Sequence, residues 1–150
     1  MKRTFVRQIS QIVPLSLPFA DNKVGGIKMK RDLDLIREIL ITLENDNNPE
    51  SWKVIQLEGR DQKVISYHVK LLTEAGLIEG KDTNLNPGFW WYARSLTNQG
   101  HDFLDTIKNE TTYSKIKEKM GNQLKTAPLT VVSSVAVEIA KEWTLSKLGF

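Results

Sequence analysis

The residue types best suited to catalysis lie in one predicted helix, where Ser66 and His68 follow Asp61. Serine, histidine and aspartate form hydrolytic triads, in which the imidazole removes the proton of the nucleophilic hydroxyl. Residues two apart on a helix point to different faces, and the histidine falls on the apolar face with Leu72 and Ala75. We therefore interpret His68 as a core histidine with a buried hydrogen-bond partner, which leaves the hydroxyl without a base.

Other catalytic and cofactor-binding patterns are absent from the sequence. His101 and Asp102 open a predicted helix with no nucleophile or second ligand nearby, and no phosphate-cradling glycine loop or nucleotide fingerprint is present. Acids at the start of the first helix complement the helix dipole and need no metal. With no cysteines and two histidines, thiolate, disulfide and histidine-cluster chemistry are disfavoured. We predict that the protein is not an enzyme and uses no cofactor or metal.

A run of four aromatic residues, Phe89 to Tyr92, has the composition of a base-stacking platform. Strand alternation places Phe89 and Trp91 on one face and Trp90 and Tyr92 on the other, so one pair must be largely buried. We favour packing in the core and beneath the strands. An exposed Trp90 or Tyr92 beside Arg94 would favour nucleic-acid stacking instead.

The helix around which the chain is organised is capped by Asp61 and ended by Gly76. Its apolar residues form one broad face that is predicted to be buried, and its polar residues gather on the opposite face. The polar face offers side chains that are able to contact bases or phosphates. These candidate DNA-binding residues are Gln62, Lys63, Ser66, Tyr67 and Lys70, with Lys81 and Arg94 beyond the helix as phosphate contacts.

The elements around this helix predict an α+β fold. A short strand at 77–81, a turn-rich loop at 82–88 and a strand at 89–96 follow the helix, and form a two-stranded wing. A first helix at 32–44 and a short strand at 52–57, which enters a three-stranded sheet, precede it. Helix, short strand, recognition helix and wing, followed by C-terminal helices, predict a winged helix-turn-helix.

The usual positioning helix has no room in this chain, since only residues 56–60 stand in its place. That helix normally fixes the register of the recognition helix on DNA, so standard major-groove docking is in doubt.

Two resemblances agree with this fold. The segment SYHVKLLTEAGLIEG is similar to recognition helices of small bacterial winged-helix regulators of the arsenic-repressor-like type. The segments MKRDLDLIREIL, YHVKLLTEAGLIEG, LTNQGHDFLDTI and YSKIKEKM resemble the uncharacterised family called domain of unknown function 2513, which consists of small bacterial and prophage proteins. This second resemblance implies a fold and a phage-like setting, and it implies no activity.

The chain divides into three predicted regions. Residues 1–28 lack helical or strand periodicity, and the codons of Gly25 and Gly26 can contain a ribosome-binding sequence just before Met29, so we expect a disordered extension or a misassigned upstream start. Residues 29–109 form the winged-helix domain. Residues 110–150 form a C-terminal helical region whose last helix, from Pro128 to Leu148, has an apolar stripe that either closes the core or pairs with a second chain.

The net charge of +3 is misleading, because residues 1–28 carry five of the 21 basic residues and one of the 18 acids. Residues 29–150 therefore have a net charge of about −1. Few phosphates would be neutralised, so DNA binding is expected to be weak and salt-sensitive unless a dimer doubles the footprint.

We predict a cytoplasmic phage or bacterial transcription regulator that binds double-stranded DNA and makes no membrane contact. The C-terminal helix is the candidate contact for a homodimer, with closure of the core as its other role. The alternative is a winged-helix module, such as a phage accessory protein, that binds a host protein and never touches DNA. Cations of the polar face and wing that are paired with acids would favour this alternative.

Overall fold

The computed structural model describes residues 28–84 and 89–149, which form an α+β fold of five α-helices and a two-stranded antiparallel sheet. All but the last residue of the predicted N-terminal extension, and most of the loop predicted at 82–88, lie outside these ranges. The helices are α1 (Leu33–Glu44), α2 (Gln62–Glu74), α3 (Asn98–Ile107), α4 (Glu110–Met120) and α5 (Leu129–Lys147), the strands are β1 (Ile78–Asp82) and β2 (Trp91–Leu96), and a 3-10 helix spans Gly121–Lys125.

Local capping signals set most helix boundaries as predicted. The carboxylates of Asp32 and Asp61 accept hydrogen bonds from the first-turn N–H groups of α1 and α2. The chain leaves α2 through Gly76 in the left-handed region, at φ 77°. Asn109 caps α4, so that helix begins at Glu110. One boundary differs from the prediction, since Pro128 is the N-cap of α5 and not its first residue.

The strand predicted at residues 52–57 is wrong as an extended element, since it consists of a single antiparallel bridge between Lys53 and Ala93 of β2. The two backbone N–H to O hydrogen bonds of this bridge measure 2.9 and 2.8 Å. The ladder does not continue: the carbonyl of Ile55 accepts a hydrogen bond from Nε2 of Gln62 at 3.0 Å, and the N–H of Trp91 donates to Oγ of Ser66. In the two-stranded sheet, β1 pairs with β2 from Ile78 to Asp82, and Ile78 lies opposite Leu96.

One hydrophobic core joins the elements from α1 to α5. Leu35, Ile36, Ile39 and Leu40 of α1 are fully buried and pack with apolar residues of the other helices and both strands. Burying a side chain of this size contributes about 1.5–3 kcal/mol. The C-terminal helices belong to the same core through Tyr113, Ile116, Met120, Val132, Ala136 and Ile139.

The apolar stripe of α5 is only partly covered. Val132, Ala136 and Ile139 are buried, whereas Trp143 and Leu148, predicted to share their stripe, are 51% and 65% exposed. Every residue from 141 to 149 is exposed, so the buried part of the stripe ends at Ile139. None of the helices within residues 28–84 and 89–149 has the length and apolar character needed to cross a membrane.

Candidate nucleic-acid interface

The outer face of α2 is the centre of the candidate interface. Ile65, Val69 and Leu72 turn into the core, which leaves Lys63, Tyr67 and Lys70 on the opposite side of the helix. Lys63 is exposed, and no ion pair joins it to the described residues. Tyr67 is half-buried. These two residues are the free polar groups of the helix face.

Three other predicted α2 contacts are engaged within the chain. Nζ of Lys70 lies 2.9 Å from a carboxylate oxygen of Glu74, one helical turn away, and this hydrogen bond raises the pKa of Lys70. Gln62 is tied to the carbonyl of Ile55. The prediction that Ser66 is displayed is wrong, because it is fully buried and its Oγ accepts a hydrogen bond from the N–H of Trp91 at 3.3 Å.

The strands add two cations that meet on one aromatic ring. Nζ of Lys81 lies 4.4 Å from the ring centroid of Trp52, and the guanidinium carbon of Arg94 lies 4.7 Å from the same centroid. Arg94 also forms an ion pair with Glu79 at 2.7 Å. Cation–π contacts of this kind hold a side chain in place while its charge stays available.

Sequence reasoning missed Trp52 as the residue that gathers these cations. It lies one position before Lys53, whose bridge to Ala93 brings the ring against the strands. A tryptophan at the start of a short predicted strand was the available signal, but the strand partner was not readable from the sequence. Nζ of Lys53 itself points inward to the carbonyl of Arg94 at 2.9 Å and to the carboxylate of Asp46.

The turn before α2 is held against α1 by Arg60, whose guanidinium donates hydrogen bonds to Asp32 at 3.1 Å and to Glu38 at 3.0 Å. No helix occupies residues 56–60, as the sequence predicted. Two ion pairs with α1 thus support the start of α2.

Asp61, Ser66 and His68, the residues considered as a hydrolytic triad, each form hydrogen bonds with other parts of the chain and not with one another. Asp61 caps its own helix through the N–H groups of Lys63 and Val64. His68 is fully buried, and burial lowers its pKa. Its Nδ1 donates to the carbonyl of Val64 at 2.8 Å, and its Nε2 accepts from the backbone N–H of Asp32 at 2.9 Å. This is the satisfied core histidine that the apolar face predicted.

The aromatic run is divided between core and surface. Trp91 packs against the core, and its indole nitrogen is buried with no hydrogen-bond partner among the described residues. Phe89 is 37% exposed, and Trp90 and Tyr92 are half-buried. Tyr92 lies on the side of Lys81, whose Nζ is 5.9 Å from its ring centroid. Of the partly open rings, that of Tyr92 therefore lies beside Lys81.

Comparisons with known proteins identify a family whose model matches this chain. The family model described as "Hypothetical protein (DUF2513)" matches residues 30–126. An uncharacterized protein of Haemophilus influenzae is 36% identical over 115 residues, which are 76% of this chain and 98% of that protein. No solved structure matches the chain. The region matched by the family model contains α1 to α4 and both strands, and α5 follows it.

Proposed function

Since this chain belongs to the DUF2513 family of hypothetical proteins, whose name assigns no activity, we propose a function from the geometry. The protein is a winged-helix DNA-binding protein that regulates transcription in a bacterium or its phage. It acts in the cytoplasm, a reducing compartment that suits a chain without cysteines.

The observation that carries this proposal is the bridge between Lys53 and Ala93. It pairs the segment before α2 with β2, so the order of pairing across the sheet is that segment, β2 and then β1. A winged helix has the same order, in which the strand before the recognition helix pairs with the last strand of the wing. In this arrangement α2 is the recognition helix, and β1 and β2 form the wing.

The polar side chains then take distinct roles. Lys63 and Tyr67 enter the major groove, and Lys81 and Arg94 contact phosphates from the wing. Lys70 joins them by exchanging Glu74 for a phosphate oxygen. Gln62 supports the start of the helix and makes no DNA contact.

Dimerisation through α5 is part of the proposal, because few cations of one chain face the DNA. The exposed end of this helix carries Trp143, Leu145 and Leu148, which are 51%, 49% and 65% exposed. The same segment has no net charge, because its two acids balance its two bases, so charge repulsion does not oppose the association of two copies. These residues are Glu138, Lys141, Glu142 and Lys147. Two copies double the number of phosphates neutralised.

The test is selection of bound duplexes from a random-sequence library by the full chain, followed by fluorescence anisotropy on a selected duplex. Replacing Lys63 and Lys81 together with glutamine should weaken binding at least about tenfold and reduce the salt slope by about 1 for each lost phosphate contact. The matched control replaces Lys115 and Lys119 of α4 with glutamine and should bind as the wild type does. The proposal is overturned if no duplex is enriched or if both variants weaken binding equally.

A protein-interaction module is the second candidate function. The ion pairs of Lys70 with Glu74 and of Arg94 with Glu79 favour it, because they remove two cations from the set available to phosphates. Under this reading the library selection enriches nothing, and the surface of Lys63, Tyr67 and Trp52 contacts an acidic and aromatic patch of a host protein.

A further inference from the structure

A cleft with an excess of cations lies beside α2, and its lining includes none of the side chains of the proposed interface. It has a volume of about 740 Å³ and is bounded by the residues before α1, the first turn of α1, Val64 of α2, and α4 with the 3-10 helix. Small-molecule sites typically enclose about 300–1,000 Å³. The cationic side chains in its lining are Lys28, Lys30, Arg31, Lys117 and Lys125.

The two carboxylates in this lining are already satisfied within the fold. Asp32 caps α1 and pairs with Arg60. Asp34 accepts a hydrogen bond from the hydroxyl of Tyr113 at 2.5 Å and pairs with Lys117 at 2.9 Å. Burial alone would raise the pKa of Asp34, but these hydrogen bonds outweigh it and lower the pKa, so the carboxylate stays ionised and bound. Neither acid is left to neutralise the remaining cations.

Those remaining cations have no acidic partner among the described residues. Lys28, Lys30 and Lys125 are exposed and form no ion pair there. One terminal nitrogen of Arg31 donates to the carbonyl of Ala127 at 3.0 Å, which fixes the guanidinium. Its other N–H groups have no hydrogen-bond partner among the described residues. The concentration of positive charge contrasts with the net charge of about −1 of residues 29–150.

The floor of the cleft is apolar. Leu33, Val64 and Leu124 line it beneath the cations, and Val64 and Leu124 are half-buried and able to cover a flat ligand. A ligand that uses both parts has an anionic group for the cations and an apolar body for the floor. The bases of a DNA duplex are stacked inside it, so a duplex cannot lay a flat base face on an apolar surface within a concave cleft.

We propose that this cleft binds a phosphorylated small molecule with a flat apolar body, of the nucleotide class. The phosphates contact Lys30, Arg31 and Lys125, where charge-assisted hydrogen bonds replace water. The base lies on Leu33, Val64 and Leu124. This site is independent of the proposed DNA contacts, since it shares neither Lys63 nor Lys81 with them.

The experiment is isothermal titration calorimetry of the full chain in a phosphate-free buffer, with ATP as the nucleotide probe and tripolyphosphate as the probe without a base. We expect saturable binding of ATP and at least tenfold weaker binding of tripolyphosphate, because the latter leaves the floor uncovered. Replacing Lys30 and Lys125 with glutamine should weaken ATP binding about tenfold or more. The control variant, Lys115→Gln with Lys119→Gln, changes the net charge equally and should keep the wild-type affinity.

Three results would overturn the proposal: absence of ATP binding, equal affinity for the two probes, or an equal loss in both double variants. If the Lys30 and Lys125 variant loses DNA affinity while ATP does not bind, the cleft belongs to the DNA footprint and the small-molecule assignment is wrong. The variant Lys63→Gln with Lys81→Gln should retain ATP binding, so failure of the DNA proposal leaves this test intact.

Discussion

The imidazole of His68 joins α2 to the start of α1, because its Nε2 accepts a hydrogen bond from the backbone N–H of Asp32 at 2.9 Å. Since Nδ1 donates to the carbonyl of Val64, both ring nitrogens are used and the ring is neutral. A proton on Nε2 would abolish the contact with α1. The recognition helix of the proposed function is therefore attached to the core through a group that tolerates no charge.

This contact predicts acid sensitivity. Burial lowers the pKa of His68 below its ordinary value of 6.5, so the unfolded chain binds a proton at a higher pH than the folded chain does. The free energy of unfolding therefore falls as the pH falls below 6.5, by up to about 1.4 kcal/mol per pH unit for this group. Urea unfolding of the wild type and His68→Gln between pH 8 and pH 5 should show the difference between their free energies of unfolding narrowing towards pH 5. Carboxylates that begin to titrate near pH 5 are shared by both proteins, so their effect cancels in this difference.

The control for this prediction is His101→Gln, which alters an exposed histidine and should follow the wild type at every pH. A constant difference between wild type and His68→Gln across the range would show that the neutral imidazole is not the source of the acid sensitivity.

The ion pairs of Arg60 are expected to stabilise the turn before α2. Its side chain is 29% exposed and bonded to two carboxylates of α1, so we expect Arg60→Met to lower the free energy of unfolding by about 1 kcal/mol. Lys70→Met, which removes one exposed pair within α2, should cost less. Urea unfolding at neutral pH measures both, and equal losses would contradict a supporting role for Arg60.

Gly100 is predicted to be required for the packing of α3 against the end of α2. A Cβ at this position would lie 1.9 Å from the carbonyl oxygen of Leu77, which is backbone and has no freedom to rotate away. We expect Gly100→Ala to destabilise the fold by about 2–3 kcal/mol despite the better helix propensity of alanine. Thermal unfolding should reveal this, with Asn98→Ala, an exposed change in the same helical turn, as the control. A wild-type melting temperature for Gly100→Ala would disprove the close packing.

The end of α5 is predicted to hold two copies together. Leu145→Glu with Leu148→Glu should convert the dimer to a monomer in size-exclusion chromatography with light scattering, because burying these charges at an interface is costly. Folding should persist, since both leucines are exposed in the single chain. Val131→Glu changes an exposed apolar residue at the other end of α5 and should leave the dimer intact. A monomeric wild type at all concentrations would refute self-association.

The sequence by itself determined the elements whose signals are local. The caps at Asp32 and Asp61 and the stop at Gly76 act within a few residues of each helix end, so the helix positions followed from the residue types. The period of α2 likewise identified His68 as a core residue. That residues 56–60 form no helix was also predictable, because five residues are too few for one.

Tertiary structure alone decided which polar groups remain available, because that depends on partners distant in sequence. Ser66 contacts a strand residue that lies 25 positions further along the chain. His68 accepts a hydrogen bond from a backbone N–H that lies 36 positions before it. Lys81 and Arg94 meet on Trp52 only because a single bridge brings that segment to β2. Helical periodicity records which face turns inward, and it carries no information about what the chain later places against that face.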